Sequence, residues 1–316
     1  MARSMVVVAA AYGGPEVLQI VEQQVADPGR GEILLEVRAA GVNPVDWKTY
    51  SGARGSDPSA LPMRLGMEAS GIVAAIGPDA VGPAGLLTVA DEVIAYRIAG
   101  AYAERVVVPA SAAVPKPREV SFELAGGLML AGATAIHALA AIGAQAGETL
   151  LVHAASGAVG RIAVQVARAR GIRVIGTASP ARHDELRALG AEPVAYGEGL
   201  LERLKTVAVQ GVDAAIDAAG TDEALDTSLA LVGDRDRIAT VANAARGLRE
   251  EIRVLGGGPG ADPGTEIRNA ARLELSALAA QGAVTLNVIP YPLKDAVAAH
   301  RTSIEGHPAG KLVLVP

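Results

Sequence analysis

Cysteine is absent from the sequence. That excludes a disulfide scaffold, a nucleophilic thiol and a thiolate metal site, and it fits a reducing compartment, the cytoplasm. Aromatic residues are scarce too, with one Trp, six Tyr and one Phe in 316 residues. Base-stacking platforms are hard to build from so few rings. A basic excess is also missing: 28 Lys and Arg stand against 34 Asp and Glu, a net charge of −6. A polyphosphate backbone finds no electrostatic partner here, and no nucleic-acid role is expected. No secretory leader is expected, because the apolar run 5–11 is broken at once by Tyr12-Gly13-Gly14-Pro15. The one uncharged stretch long enough to span a bilayer, 124–144, is mostly Ala and Gly and carries Thr134 and His137. It reads as a buried helical segment with close backbone packing, and no membrane partner is expected.

What is present supports a folded chain. Half of the residues are apolar and 20% are charged, which leaves ample material for cores. At roughly 150 residues per domain, the length suggests about two domains. The first third reads as β-rich, with strands expected at 33–39, 71–77, 91–96 and 102–109. Frequent Gly and Pro between these short runs suggest a compact, barrel-like all-β unit. The middle alternates instead. Strands are expected at 149–154, 172–177, 192–196, 212–217, 237–241 and 252–255, with helices at 159–169 and 182–189 among them. Strands joined by crossover helices predict a parallel sheet covered on both faces, an α/β doubly wound unit. In helix 159–169, Ile162, Val166 and Ala169 share one face, and Arg161, Arg168 and Arg170 lie elsewhere. A further strand is expected at 311–315.

The chemistry concentrates where the first strand of the alternating region ends. Residues 150–153 run into Ala154-Ala155-Ser156-Gly157-Ala158-Val159-Gly160, and a helix follows. Gly157 lets the backbone approach a pyrophosphate, Gly160 lets the helix pack close to the sheet, and the helix N-terminus offers free N–H groups and a positive dipole end. A dinucleotide site is expected. An NAD site normally places an acid near the end of the second strand. Here that end reads Gly176-Thr177-Ala178-Ser179-Pro180-Ala181-Arg182-His183. Ser179 can donate to a 2′-phosphate and Arg182 can pair with it, so NADPH is expected over NADH.

Five further stretches carry a resemblance. They are Asn43-Pro44-Val45-Asp46, Gly66-Met67-Glu68-Ala69-Ser70-Gly71-Ile72-Val73, Gly100-Ala101-Tyr102-Ala103-Glu104, Gly132-Ala133-Thr134-Ala135 and Gly306-His307-Pro308-Ala309-Gly310-Lys311. With the glycine turn, they resemble the zinc-independent medium-chain dehydrogenase/reductases of the NADPH:quinone oxidoreductase group, over nearly the whole chain. The resemblance implies a GroES-like β-barrel domain at 1–120, completed by 286–316, and a Rossmann domain at 121–285 with the cofactor in the cleft. It implies that Thr134, Tyr196 and Lys311 join Ala155, Ser156, Gly157, Ala158, Val159, Gly160, Ser179 and Arg182 at the cofactor. It also implies a homodimer paired through strand 252–255.

One departure concerns metal. Zinc-dependent relatives place His in Gly-His-Glu and supply a Cys ligand, whereas here Met67 fills that position and Cys is absent. No metal is expected, since a thioether is a poor zinc ligand. A second departure is the apolar loop 79–89, longer than the family's usual link.

The expected activity is hydride transfer from NADPH to a quinone or another conjugated carbonyl. Asn43 orients the nicotinamide ribose or a water, Asp46 fixes the loop behind it, and Tyr50 donates a proton toward the reduced oxygen. The competing account of Asn43 and Asp46 is that they only bond their own turn. Rival functions are an enone or 2-enoyl thioester reductase of a biosynthetic pathway, and a low-turnover NADPH-binding sensor or structural protein.

Overall fold

The computed structural model describes residues 2–306 and 308–316. His307, in the expected closing motif, lies outside the described residues. The chain divides into two compact units, Met1–Leu130 with Arg272–Pro316, and Ala131–Ala271.

The first unit is built on a mixed sheet. Its strands run in the order Ala113–Pro115, Glu92–Tyr96, Glu68–Ile76, Glu32–Gly41, Lys311–Val315 and Val288–Pro292, and Arg105–Pro109 also pairs with Glu32–Gly41. The central strand covers the expected 33–39: Ile33, Leu35 and Val37 are buried in one core cluster, and Arg38 is exposed. The strand Lys311–Val315 pairs antiparallel with Glu32–Gly41, Val313 opposite Gly41. Residues 311–315 are thereby joined to residues about 270 positions earlier in the chain. Ala2–Ala9 and Leu18–Val25 form an antiparallel pair that the sequence reading did not assign. The unusual loop contains a two-residue hairpin, Val81–Gly82 with Gly85–Leu86.

The uncharged stretch 124–144 is buried, but it forms two helices, Phe122–Gly126 and Met129–Ala141. Close packing explains its small residues. A Cβ on Gly126 would lie 2.6 Å from Ala39 O. Among the described residues, no helix is long and apolar enough to cross a membrane.

The second unit is a six-stranded sheet in the order Glu192–Ala195, Arg173–Ala178, Thr149–His153, Ala214–Asp217, Ile238–Thr240 and Arg253–Val254. Every neighbouring pair is parallel. In this unit's own strand numbering the order is 3-2-1-4-5-6, the doubly wound arrangement whose ligands sit beyond the carboxyl ends of the strands. Leu151, Ile175, Ala215 and Ile238, from four adjacent strands, share one core with Leu204 and Leu225 of the crossover helices.

Candidate functional site

In the second unit the glycine turn follows the central strand directly. Ala154 adopts φ 54°, in the left-handed region, and Ala155 N donates to Thr177 O at 3.0 Å, holding the turn to the next strand. The helix Ala158–Ala169 then starts at Gly157, and no side chain caps it. A Cβ at Gly160 would collide with Ala154 O and lie 2.7 Å from Ala155 Cα. Only glycine lets the helix sit this close to the turn. Gly157 is exposed, with Ser156, Ala158 and Val159 partly so. An uncapped helix N-terminus behind exposed small residues fits a pyrophosphate.

The neighbouring strand ends complete this edge. Ala178 pairs with Ala195, so Ser179 and Tyr196 follow at adjacent strand ends. Ser179 makes no side-chain cap bond. Tyr196 is 49% exposed. Arg182 lies 3.7 Å from Glu185 Oε2 in an i,i+3 pair. Glu185 also pairs with Arg161. Arg161 corrects an expectation: placed off the apolar face of its helix, it is nevertheless 5% exposed. Glu185 is an acid near the second strand that the sequence reading did not single out, because it comes from the following helix, His183–Ala188.

In the first unit, Asn43, Asp46 and Lys311 meet in a buried polar network. Asn43 is the N-cap of helix Pro44–Tyr50. Its backbone N–H donates to Asp46 Oδ2 at 2.8 Å, while its side-chain amide donates to Glu68 Oε1 at 2.9 Å and to Gly41 O at 3.2 Å. Lys311 Nζ donates to Asn43 Oδ1 and to Val42 O at 3.0 Å, and lies 3.2 Å from Glu68 Oε1. Leu130 N–H donates to Glu68 Oε2 at 2.8 Å. Tyr102 OH donates to Asp46 Oδ2 at 2.8 Å. Tyr50 is fully buried, its hydroxyl 2.9 Å from His300 Nδ1. Glu68 and Tyr102 stand in the motifs quoted above, where local pattern alone assigns them no role. His300 had no signal at all, because its partner is 250 residues away.

The remaining singled-out residues are accounted for inside the second unit. Thr134 is 6% exposed in helix Met129–Ala141. His137 is an interior histidine: Arg268 Nε donates to its Nδ1 at 3.2 Å, so its Nε2–H donates to Asp262 Oδ2 at 3.0 Å. His153 lies 3.2 Å from Thr177 Oγ1 and 3.1 Å from Ser228 Oγ. Asp217 accepts from Ala219 N, Gly220 N and Thr240 Oγ1, a structural turn clamp. Among the described residues, no three His, Cys, Asp or Glu groups come together as a metal-binding cluster.

Two family models match, the alcohol dehydrogenase GroES-like domain over 29–118 and the zinc-binding dehydrogenase model over 158–257. Quinone oxidoreductase 1 of Escherichia coli strain K12 is 33% identical, covering 96% of this chain and 97% of its own length. The chain belongs to the quinone oxidoreductase family. The solved E. coli quinone oxidoreductase complexed with NADPH has a TM-score of 0.85 at 31% identity, over 99% of this chain and 100% of that one. A solved CurK enoyl reductase has a TM-score of 0.84 at 25% identity, covering 99% of both chains.

Burial sets the charge states inside this quinone oxidoreductase-family chain. It pushes His153 and His300 down to about 4. It pushes Asp46 up to about 6, against the lowering bonds from Tyr102 and Asn43. The histidines take up protons near 6.5 when unfolded, so between about 4 and 6.5 the unfolded chain binds more protons and stability rises with pH. Asp46 works the other way: its folded form keeps a proton that the unfolded one loses, so stability falls from about 4 to 6. His153→Gln should therefore flatten the rise between pH 4 and 6.5, by roughly 3 kcal/mol in total. Denaturant unfolding at a series of pH values measures this. Parallel curves for parent and variant would show that His153 does not carry the effect.

Proposed function

We propose that the chain is an NADPH-dependent reductase acting on a quinone or another conjugated carbonyl, without zinc. The observation that carries the reading is the pair of adjacent strand ends: an uncapped helix N-terminus for a pyrophosphate, and Ser179 with Arg182 for a 2′-phosphate. The structural similarity to an oxidoreductase solved with NADPH supports it. Ala155 to Gly160 would hold the pyrophosphate and Ser179, Arg182 and Tyr196 the adenosine end; Thr134 and Lys311 are each proposed as a further cofactor contact. NADPH, when bound, supplies the hydride. The similarity to an enoyl reductase supports a second reading, reduction of an enone or a 2-enoyl thioester.

The role of the chain is then orientation and polar stabilisation of the charge that develops on the acceptor oxygen. Asn43 is assigned to the ribose or a water, and Asp46 to the loop behind it. Tyr50 has its hydroxyl engaged by His300, so water or another donor supplies the proton. Zinc independence rests on Met67 and the absence of cysteine. The lack of cysteine also supports a cytoplasmic setting. A homodimer is proposed through the edge strand Arg253–Val254. Asp262 already engages Val254 O and Gly256 N, which leaves the Ile252 end for a second copy.

Purified protein should oxidise NADPH in the presence of quinones or enones, with full activity in chelator and no stoichiometric zinc. Inactivity with quinones, enals and enoyl thioesters alike would leave only a sensor or structural role. Arg182→Ala should weaken NADPH about 10- to 150-fold, the loss of a charge-assisted bond, and NADH much less; titration of both cofactors tests this. Asn43→Ala should lower kcat/KM by roughly 10- to 1000-fold. It should also cost about 1–3 kcal/mol of stability, because Lys311 and Glu68 lose a buried partner. A folded variant with unchanged kcat/KM would remove Asn43 from the mechanism. Light scattering should give twice the 31.9 kDa chain mass. A monomer at all concentrations would end the dimer proposal.

A further inference from the structure

Arg161 is out of place on stability grounds. Its helix neighbours Ile162, Ala163 and Val164 are fully buried apolar residues. The Arg161 side chain is itself only 6% exposed. Its Nε is buried with no hydrogen-bond partner among the described residues. Placing a guanidinium there costs desolvation, and an apolar side chain of similar volume is normally cheaper. The compensation comes from one residue, Glu185, whose Oε1 pairs with Arg161 Nη1.

Glu185 has a second contact. Its other oxygen, Oε2, lies 3.7 Å from Arg182 Nη1. That separation is an ion pair but not a hydrogen bond. Arg182 therefore keeps its donors while its position is biased toward Glu185. The three groups sum to one positive charge. The next pair on the same helix, Asp184 with Arg187, is neutral by itself.

We infer that Arg161 is a specificity-determining positioning residue for NADPH, acting through Glu185 on Arg182. The inference rests on the reading above, that the 2′-phosphate meets Ser179 and Arg182. A carboxylate beside a phosphate dianion is repulsive unless something neutralises it. Arg161 does so from the buried side. Without it, Glu185 and Arg182 would cancel, and the 2′-phosphate would meet a site of zero net charge. NADH carries no phosphate there, so its binding is indifferent to the balance. The buried arginine also ties the helix behind the glycine turn to the helix after the second strand. The two elements that would grip the pyrophosphate and the 2′-phosphate are thus held together.

The test is titration of NADPH and of NADH, followed by nicotinamide fluorescence, on four folded variants. R161M should weaken NADPH about tenfold and NADH less than twofold. R161M/E185Q restores the net charge to one and should bring NADPH back to within about threefold of the parent. R161K keeps the charge and should retain the preference; it also carries the test if R161M does not fold. Equal weakening of both cofactors by R161M, an unaffected NADPH affinity, no recovery in the double variant, or a loss in R161K would each overturn the inference. R182A separates the two levels. If R182A fails to discriminate NADPH from NADH, the 2′-phosphate reading itself falls. If R182A discriminates and R161M does not, only the role of Arg161 falls.

Discussion

Glu68 has no exposed surface, and a buried carboxylate is tolerated only where its oxygens are satisfied. Its partners come from three distant segments: the amide of Asn43, the backbone N–H of Leu130 and the ammonium of Lys311. That requirement fixes much of the first unit. It seats the loop before helix Pro44–Tyr50 and the strand that begins at Lys311. It also leaves no room for a side chain at Gly41, where a Cβ would collide with the Glu68 carboxylate. Losing any one partner leaves charge uncompensated in a low-dielectric interior, so the network behaves as a unit.

The second unit answers a different constraint. Its sheet is apolar and parallel, and its polar chemistry is pushed to the carboxyl ends of the strands. Charges there lie mostly at the surface; Asp217, clamped in its own turn, and Arg161 are buried. The first unit thus spends its buried charge on holding a loop, while the second spends its buried arginine next to an expected ligand.

What was legible in the sequence follows from this division. Periodicity reports burial, so the strands of the parallel sheet and the central strand Glu32–Gly41 could be read from apolar runs and their punctuation. The glycine turn could be read because a close approach at Gly160 admits one residue type. The pair Ala2–Ala9 and Leu18–Val25 could not, since Leu18–Val25 presents Gln19, Glu22, Gln23 and Gln24 among its apolar residues and lacks a clean alternation. Arg161 looked like a solvated residue because helix periodicity assigns charge to the outer face, and its partner Glu185 is visible only once two helices are adjacent. The Tyr50–His300 contact is hidden for the same reason. Local patterns show which residues are buried; they do not show which distant polar groups meet there.

The antiparallel pairing of Lys311–Val315 with Glu32–Gly41 bears on how the chain acquires its shape during synthesis. The second unit is contiguous, Ala131–Ala271, so all of its strands have been synthesised before residue 272 is added. The first unit is discontinuous. Until residue 315 is available, the Ala40–Gly41 end of one edge of Glu32–Gly41 has no strand beside it, Arg105–Pro109 covering only its first half, and Glu68 and Asn43 have no lysine. An unfilled stretch of sheet edge is a feature that misfolding exploits, and a carboxylate without its cation resists burial. The insertion of the closing strand is therefore the step that makes the early half of the chain safe.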